Sequence, residues 1–200
     1  MTEGHIGRLV AASLHQAIGE LLPDRLDFYE TWLHSEGLRE GSIGQAPMMA
    51  VLGFLRTEGD AYDRVVARAG ALAAEWALML LPRFRRRVVG WMPGRLRMRA
   101  ALRVAGSIAV TVDSRSRLRV RMRGRRAEIE VSSSVFCAVR GVHATPLCGF
   151  YRSLAVTTLA HFGLPSTAQV DQCRAMGAGS CVIHVTLEVA RPVEETAAAA

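Results

Sequence analysis

One change of rhythm constrains this chain more than any single motif. Up to about residue 105, apolar residues recur every three to four positions, as in Ile6, Leu9, Val10, Leu14, Ile18 and Leu21. That spacing belongs to helices buried along one face. Beyond Ser107 the period falls to two, and Leu118, Val120 and Met122 alternate with Arg117, Arg119, Arg121 and Arg123. Such alternation belongs to strands with one apolar and one polar face. Helices first and strands afterwards argue against a regular βαβ winding. The expectation is a single α+β domain, with N-terminal helices packed on an antiparallel sheet of about four to five strands.

Local signals divide the helical part. After the first segment, Pro23 and Asp24 open a second one carrying Leu26, Phe28, Tyr29, Trp32 and Leu33, which Gly37 ends. Gly41 to Ala46 reads as a loop, and Pro47 suits the first position of a helix over Met48 to Arg56. Asp60 is placed to cap a long helix from Ala61 to about Leu81, which Pro82 closes. Gly94 to Val104 is a further helix. The sheet part begins with a strand over Ser107–Asp113 and a turn at Asp113–Ser116. After the arginine-rich strand, Gly124 turns the chain into Ala127–Val131, where Glu128 and Glu130 face the preceding arginines across a hairpin. Val135 to Val139 reads as extended. A helix follows from about Cys148 to His161, ended by Gly163 and Pro165, and two strands finish the domain, Ala168–Ala175 and Cys181–Val189. One domain spans residues 1–190, with its helical part at about 5–105 and its sheet-rich part at about 107–189. Residues 191–200 read as a disordered tail.

Charge is unevenly spread. Between Arg83 and Arg126 stand fifteen arginines and one acid, Asp113, while the rest of the chain holds ten arginines and seventeen acids. A solvated cationic face, partly paired with acidic helices, accounts for this most simply. An acidic protein partner or a ligand carboxylate is a second reading of the arginines, and the stretch Arg83–Arg99, which mixes them with Phe84, Trp91, Met92 and Met98, also fits peripheral contact with an anionic membrane. Nucleic acid is a poor fit, because no DNA- or RNA-binding motif accompanies the arginines.

No run reaches the roughly 18–20 unbroken apolar residues of a membrane-spanning helix. The N-terminal segment, with Glu3 and His15, reads as an amphipathic helix rather than a signal peptide. The expectation is a cytoplasmic protein with reduced thiols. No G-x-G-x-x-G, phosphate-binding loop or G-x-S-x-G elbow occurs, and the six histidines lie scattered without metal spacing. These signals lean away from catalysis.

The last third is the most distinctive. Cys173 and Cys181 flank the turn Met176–Ser180, and Cys148 stands at the start of the preceding helix. Thiols so placed suit packed free cysteines, a zinc site or a disulfide. Cys137, next to Phe136 in an apolar stretch, reads as core. Trp76, Leu80, Phe84, Trp91, Phe136, Phe150, Tyr151 and Leu154 belong to an aromatic and apolar set that reads either as core or as the lining of an apolar pocket.

The order of elements, with Pro146, Cys148 and Gly149 at a helix start and Asp171, Cys173, Gly177 and Cys181 around the final hairpin, resembles the 4-vinyl-reductase domain family. Its wider group includes the small subunits of the TRAPP tethering complex and nitric-oxide-signalling haem domains. The match covers roughly the last fifty residues and is topological before them. The resemblance implies a TRAPP-like α+β domain that holds a small hydrophobic molecule between its helices and sheet. One branch of the family is associated with bacteriochlorophyll synthesis. In another, an aromatic-effector sensor, a carboxylate and three cysteines bind zinc. Carried over, the zinc ligands are Cys148, Asp171, Cys173 and Cys181. Asp171 stands two residues before Cys173 where the sensor pattern has three, which leaves His143 or His184 as substitutes. A reductase activity does not transfer, since no site for a hydride-carrying cofactor is visible. The resulting expectation is a non-catalytic ligand-binding sensor or carrier. The alternatives are a TRAPP-like subunit, as a homodimer or with a protein partner, or an accessory factor of tetrapyrrole 4-vinyl reduction.

Overall fold

The computed structural model describes residues 5–33, 42–113 and 116–188. Seven helices and two sheets make up these residues. The first strand β1 (His5–Gly7) leads into α1 (Arg8–Leu21), a 3-10 turn at Pro23–Arg25 and the short α2 (Leu26–Glu30). Next come β2 (Ser42–Gly44), α3 (Gln45–Thr57), α4 (Asp60–Leu80), α5 (Arg83–Trp91) and α6 (Gly94–Val112). The second half holds β3 (Leu118–Arg123), β4 (Arg126–Val131), a 3-10 turn at Val135–Cys137, α7 (Gly149–His161), β5 (Ser166–Gln172), a 3-10 turn at Arg174–Met176, and β6 (Cys181–Leu187).

The expected α+β architecture is what the chain adopts. The main sheet has four antiparallel strands in the order β3-β4-β6-β5, and β1 pairs with β2 in a separate ribbon. On the β3–β4 hairpin, Arg119 stands opposite Glu130 and Arg121 opposite Glu128. Arg121 donates to the Glu128 carboxylate at 3.1 Å, as the alternation of signs predicts. The middle of the molecule is α7, which packs on α4, α6 and β5. Where α4 crosses α7 the backbones touch: a Cβ on Gly70 would run into the carbonyl of Phe150. The two helices meet without a gap at that point.

Several local expectations are overturned. Residues 107–112 are helical, the last part of α6, not a strand. Ile108, Ala109 and Val112 continue the buried face of Met98, Ala101, Leu102 and Ala105, so packing overrides the β-branched composition. Strand β1 precedes the first helix and takes Ile6 into a ribbon. The predicted 41–46 loop is β2 followed by the first turn of α3, so Pro47 sits inside that helix. Asp60 is the first residue of α4, not its cap; Gly59, at φ +62°, makes the turn before it. The stretch 135–139 is a 3-10 turn, because the Ser134 hydroxyl accepts the Phe136 N–H and curls the chain. Beyond Gln172 the predicted strand ends in another 3-10 turn, ahead of Gly177 at φ +91°. Gly37 and residues 189–200 lie outside the described residues.

Candidate metal centre and ligand cleft

Four segments that share no secondary-structure element bring their thiols to one point. Cys137 ends the 3-10 turn after β4, Cys148 precedes the first turn of α7, Cys173 follows β5, and Cys181 opens β6. All four are buried and unpaired as disulfides. Their sulfurs lie within 4.8 Å of one another. Cys137 Sγ is 3.5 Å from both Cys173 Sγ and Cys181 Sγ, and Cys181 is 4.0 Å from Cys173. A tetrahedral zinc ion with Zn–S bonds of about 2.3 Å separates its sulfurs by about 3.8 Å. The donor set therefore fits that ion in number, softness and spacing.

The surroundings favour thiolate at two positions. The Leu147 N–H points at Cys173 Sγ and the Arg174 N–H at Cys181 Sγ, each at 3.4 Å. Hydrogen bonds from Cys137 and Cys148, with these backbone donors, draw the Cys173 and Cys181 thiols down from the usual range. At Cys137 the bond to Cys148 works downward, but its bonds to Cys173 and Cys181 and its burial outweigh it, so the thiol is raised. Cys148 is raised by its bonds to Cys137, Cys173 and Cys181, and by burial. Like charges at these separations oppose joint ionisation, and a divalent ion held by all four sulfurs would let them ionise together.

The loops are held from outside. Arg56 on α3 donates to the Phe136 carbonyl at 3.0 Å, next to Cys137, and Tyr62 on α4 donates to the Leu147 carbonyl at 3.2 Å, next to Cys148. The His143 N–H bonds the Ala175 carbonyl at 2.6 Å, tying the 138–147 segment to the hairpin turn.

The cluster differs from the ligand set the resemblance implied. Cys137 joins Cys148, Cys173 and Cys181, while Asp171 lies on the outer face of the sheet and pairs with His184 at 3.7 Å, both about half exposed. A register shift between Val170 and Gln172 accompanies that placement. The side chain of His143 is hydrogen-bonded to Thr145, away from the sulfurs. The signal available for Cys137 was arithmetic: a zinc site needs four ligands and the chain has four cysteines.

The eight aromatic and apolar residues proposed for a pocket separate into two groups. Phe136, Phe150, Tyr151 and Leu154 are fully buried. Phe136 stacks on Phe150 at 4.7 Å, and the Tyr151 hydroxyl reaches Ser116 Oγ at 2.8 Å. Trp76 packs against the core from α4. Leu80, Phe84 and Trp91 point outward.

Open space lies elsewhere. A cleft of about 640 Å³ runs between α6 and the edge strand β3. Leu102 and Val110 of α6 and Leu118, Val120 and Met122 of β3 give it apolar walls, and Arg99, Arg103 and Arg117 stand around it. Gly106 keeps the helix close to Leu118 at its middle. A smaller apolar recess of about 190 Å³ sits between α5, α6 and Phe162.

No family model matches this chain. No curated protein matches it either. Solved structures do. The phenol-responsive sensory domain of the transcription activator PoxR, solved with phenol, is 16% identical at a TM-score of 0.51, over 72% of this chain and 75% of that one. An H-NOX protein from S. oneidensis in its Fe(II)NO state is 12% identical at a TM-score of 0.62, over 92% of this chain and all of that one. A mutant H-NOX protein from K. algicida, Fe(II) and unliganded, is 11% identical at 0.62, over 92% of this chain and 98% of that one. At these identities the likeness is one of fold, and the chain has the α+β architecture of the H-NOX and PoxR sensory domains.

Proposed function

We propose that this chain is a non-catalytic, small-ligand-binding sensory domain of the 4-vinyl-reductase type, acting in a reducing compartment and stiffened by one zinc ion on Cys137, Cys148, Cys173 and Cys181. The observation that carries this reading is the convergence of four buried sulfurs. Three of them belong to the sequence elements on which the resemblance rests. The likeness in fold to a phenol-responsive domain and to H-NOX proteins supports a domain that holds a small molecule. With four sulfurs around it, the zinc has no open position for water, so its role is structural.

An iron centre of the kind named for the H-NOX structures has less support here. His15, His143, His161 and His184, the histidines whose side chains are described, are all outside the buried core.

The α6–β3 cleft is the better site for the ligand. Its volume suits a small organic molecule. An aromatic or aliphatic body would lie on Leu102, Val120 and Met122, with an anionic or hydroxyl group towards Arg99 and Arg103. The two sites are mechanically linked. The cysteines hold the start of β6, β6 pairs with β4, and β4 carries β3, one wall of the cleft.

Two measurements on the full chain test the reading. Comparison of native and denatured mass should reveal one zinc ion per chain. Titration with anilinonaphthalene sulfonate, an apolar aromatic carrying one anion, should saturate, and Arg103→Glu should weaken it while zinc stays bound. A chain that takes up no zinc, and binds the dye without saturation, would overturn the proposal.

A further inference from the structure

Helix α5 contributes no buried residue to the fold. Phe84 is 75% exposed, Trp91 88%, and Leu80, just before the helix, 85%. Met79 and Leu96 extend this apolar surface on either side. A soluble domain rarely leaves large apolar side chains clustered in water without a use for them. Along α5, Phe84, Val88 and Trp91 fall on one face at 3.6 residues per turn. Arg83 and Arg87 lie along one edge of that face and Arg85 along the other.

The charge around the stripe is of one sign. Residues 83–99 hold seven arginines and no acid. Among the described residues none of Arg83, Arg85, Arg86, Arg87, Arg95 and Arg99 has a carboxylate partner. The chain turns through 107° between α4 and α5 at Leu81–Pro82. That bend sets α5 across the end of the bundle rather than along it. No single described helix is long and apolar enough to cross a membrane.

From this arrangement we propose that α5 and its flanks, Met79 to Arg99, dock this protein on an anionic lipid bilayer. The helix lies in the plane of the interface, with Leu80, Phe84, Val88 and Trp91 in the acyl boundary and the arginines among the headgroups. Long arginine stems let the guanidinium groups reach phosphate while the helix sinks, and tryptophan favours the same depth. Charge complementarity selects this occupant. A second copy of the chain would set seven arginines against seven more. A nucleic acid would satisfy the arginines but leave the apolar stripe in water. An anionic bilayer supplies hydrocarbon and negative charge at once. This inference goes beyond the ligand-binding reading and does not depend on it.

Vesicle co-sedimentation of the full chain tests the proposal. Vesicles of equal parts phosphatidylcholine and phosphatidylglycerol should carry the protein down and shift its tryptophan emission to the blue, while pure phosphatidylcholine vesicles should do neither. High salt should weaken the binding. The doubles Phe84→Ser with Trp91→Ser and Arg86→Glu with Arg87→Glu alter exposed side chains, and circular dichroism checks that each is folded. Each should lower vesicle affinity by about tenfold or more. Equal binding to both vesicle types would overturn the proposal, and so would binding that neither double weakens. Failure to bind vesicles, with a dimer that Phe84→Ser and Trp91→Ser dissolve, would assign the face to a second copy instead.

Discussion

The sulfurs of Cys137 and Cys173 lie 3.5 Å apart although the residues are 36 positions apart in the chain. Between them runs the whole of α7, so the contact ties the end of β4 to the end of β5 across the central helix. A zinc ion here would close that loop and the β5–β6 hairpin together. Cys137→Ser and Cys173→Ser should each lose zinc and destabilise the fold by about 3 kcal/mol or more. Asp171→Ala should keep the metal with a change of about 0.5 kcal/mol or less. Zinc content and denaturant midpoints check all three. Metal lost from the Asp171 variant and kept in the Cys137 variant would restore the carboxylate as the fourth ligand.

Arg56 supports the same centre from α3. It holds the Phe136 carbonyl, and its Nε is buried without a hydrogen-bond partner among the described residues. Four thiolates around one zinc would leave two negative charges, one of which the guanidinium held at the adjoining Phe136 carbonyl would offset. Arg56→Leu should speed zinc loss to a chelator about tenfold, with Arg56→Lys in between. Equal rates in all three proteins would reduce Arg56 to a packing residue.

Helices α4 and α7 meet at Gly70, where a methyl group has no room beside Phe150. Gly70→Ala should cost about 1–3 kcal/mol. Gly53 in α3 has open space around the same position. There Gly→Ala should be neutral or stabilise by up to about 1 kcal/mol. Urea midpoints of the pair measure the contrast, and equal shifts would contradict the close crossing.

The cleft can be filled without touching the core. Ser107 lies on its α6 wall, exposed, between the large cleft and the apolar recess. Ser107→Trp should lower affinity for anilinonaphthalene sulfonate by about tenfold and leave zinc content unchanged. Unaltered dye binding would place the ligand elsewhere.

All three tyrosines are enclosed. Burial, with Glu58 beside it, pushes the Tyr29 hydroxyl up to about 12. Burial also raises Tyr62, against Arg56, and Tyr151, against its hydrogen bond to Ser116. An unfolded tyrosine ionises near pH 10. The raised folded values therefore give stability that is complete below about pH 10 and is lost as pH climbs beyond it, through about 12 for Tyr29 and higher for the other two. Tyrosinate absorbance should stay absent near pH 10 and then appear together with loss of helical circular dichroism. A signal titrating near pH 10 from folded protein would show that the rings are open to water.

Much of the fold is legible because its signals are local. Helical spacing marks α1, α3, α4 and α7, and the alternation of Arg117–Arg123 with Glu128 and Glu130 marks the first hairpin. The failures have one pattern. Residues 107–112 read as a strand by composition, yet their apolar positions also continue a helical stripe, and β1 lies against the end of that helix at Thr111 and Val112. Ser134 curls the chain at Val135–Cys137 where the apolar run alone reads as extended. Of the four clustered thiols, the sequence pointed to Cys148, Cys173 and Cys181 as possible metal ligands but not to Cys137.

What the sequence determined by itself is the fold class and the succession of most helices and sheet strands, the arginine stripe on β3 with its acidic partner strand, and the identity of three of four clustered thiols. Each follows from neighbours a few residues apart, whose side chains share a face whatever the rest of the chain does. Tertiary structure alone decided that Cys137 joins them, that α4 and α7 close against each other at Gly70, that space opens between α6 and β3, and that α5 is left with its apolar face outward. These depend on which surfaces meet across the fold, over separations of 36 and 44 residues for the Cys137 contacts alone, and such meetings leave no periodic trace in the chain.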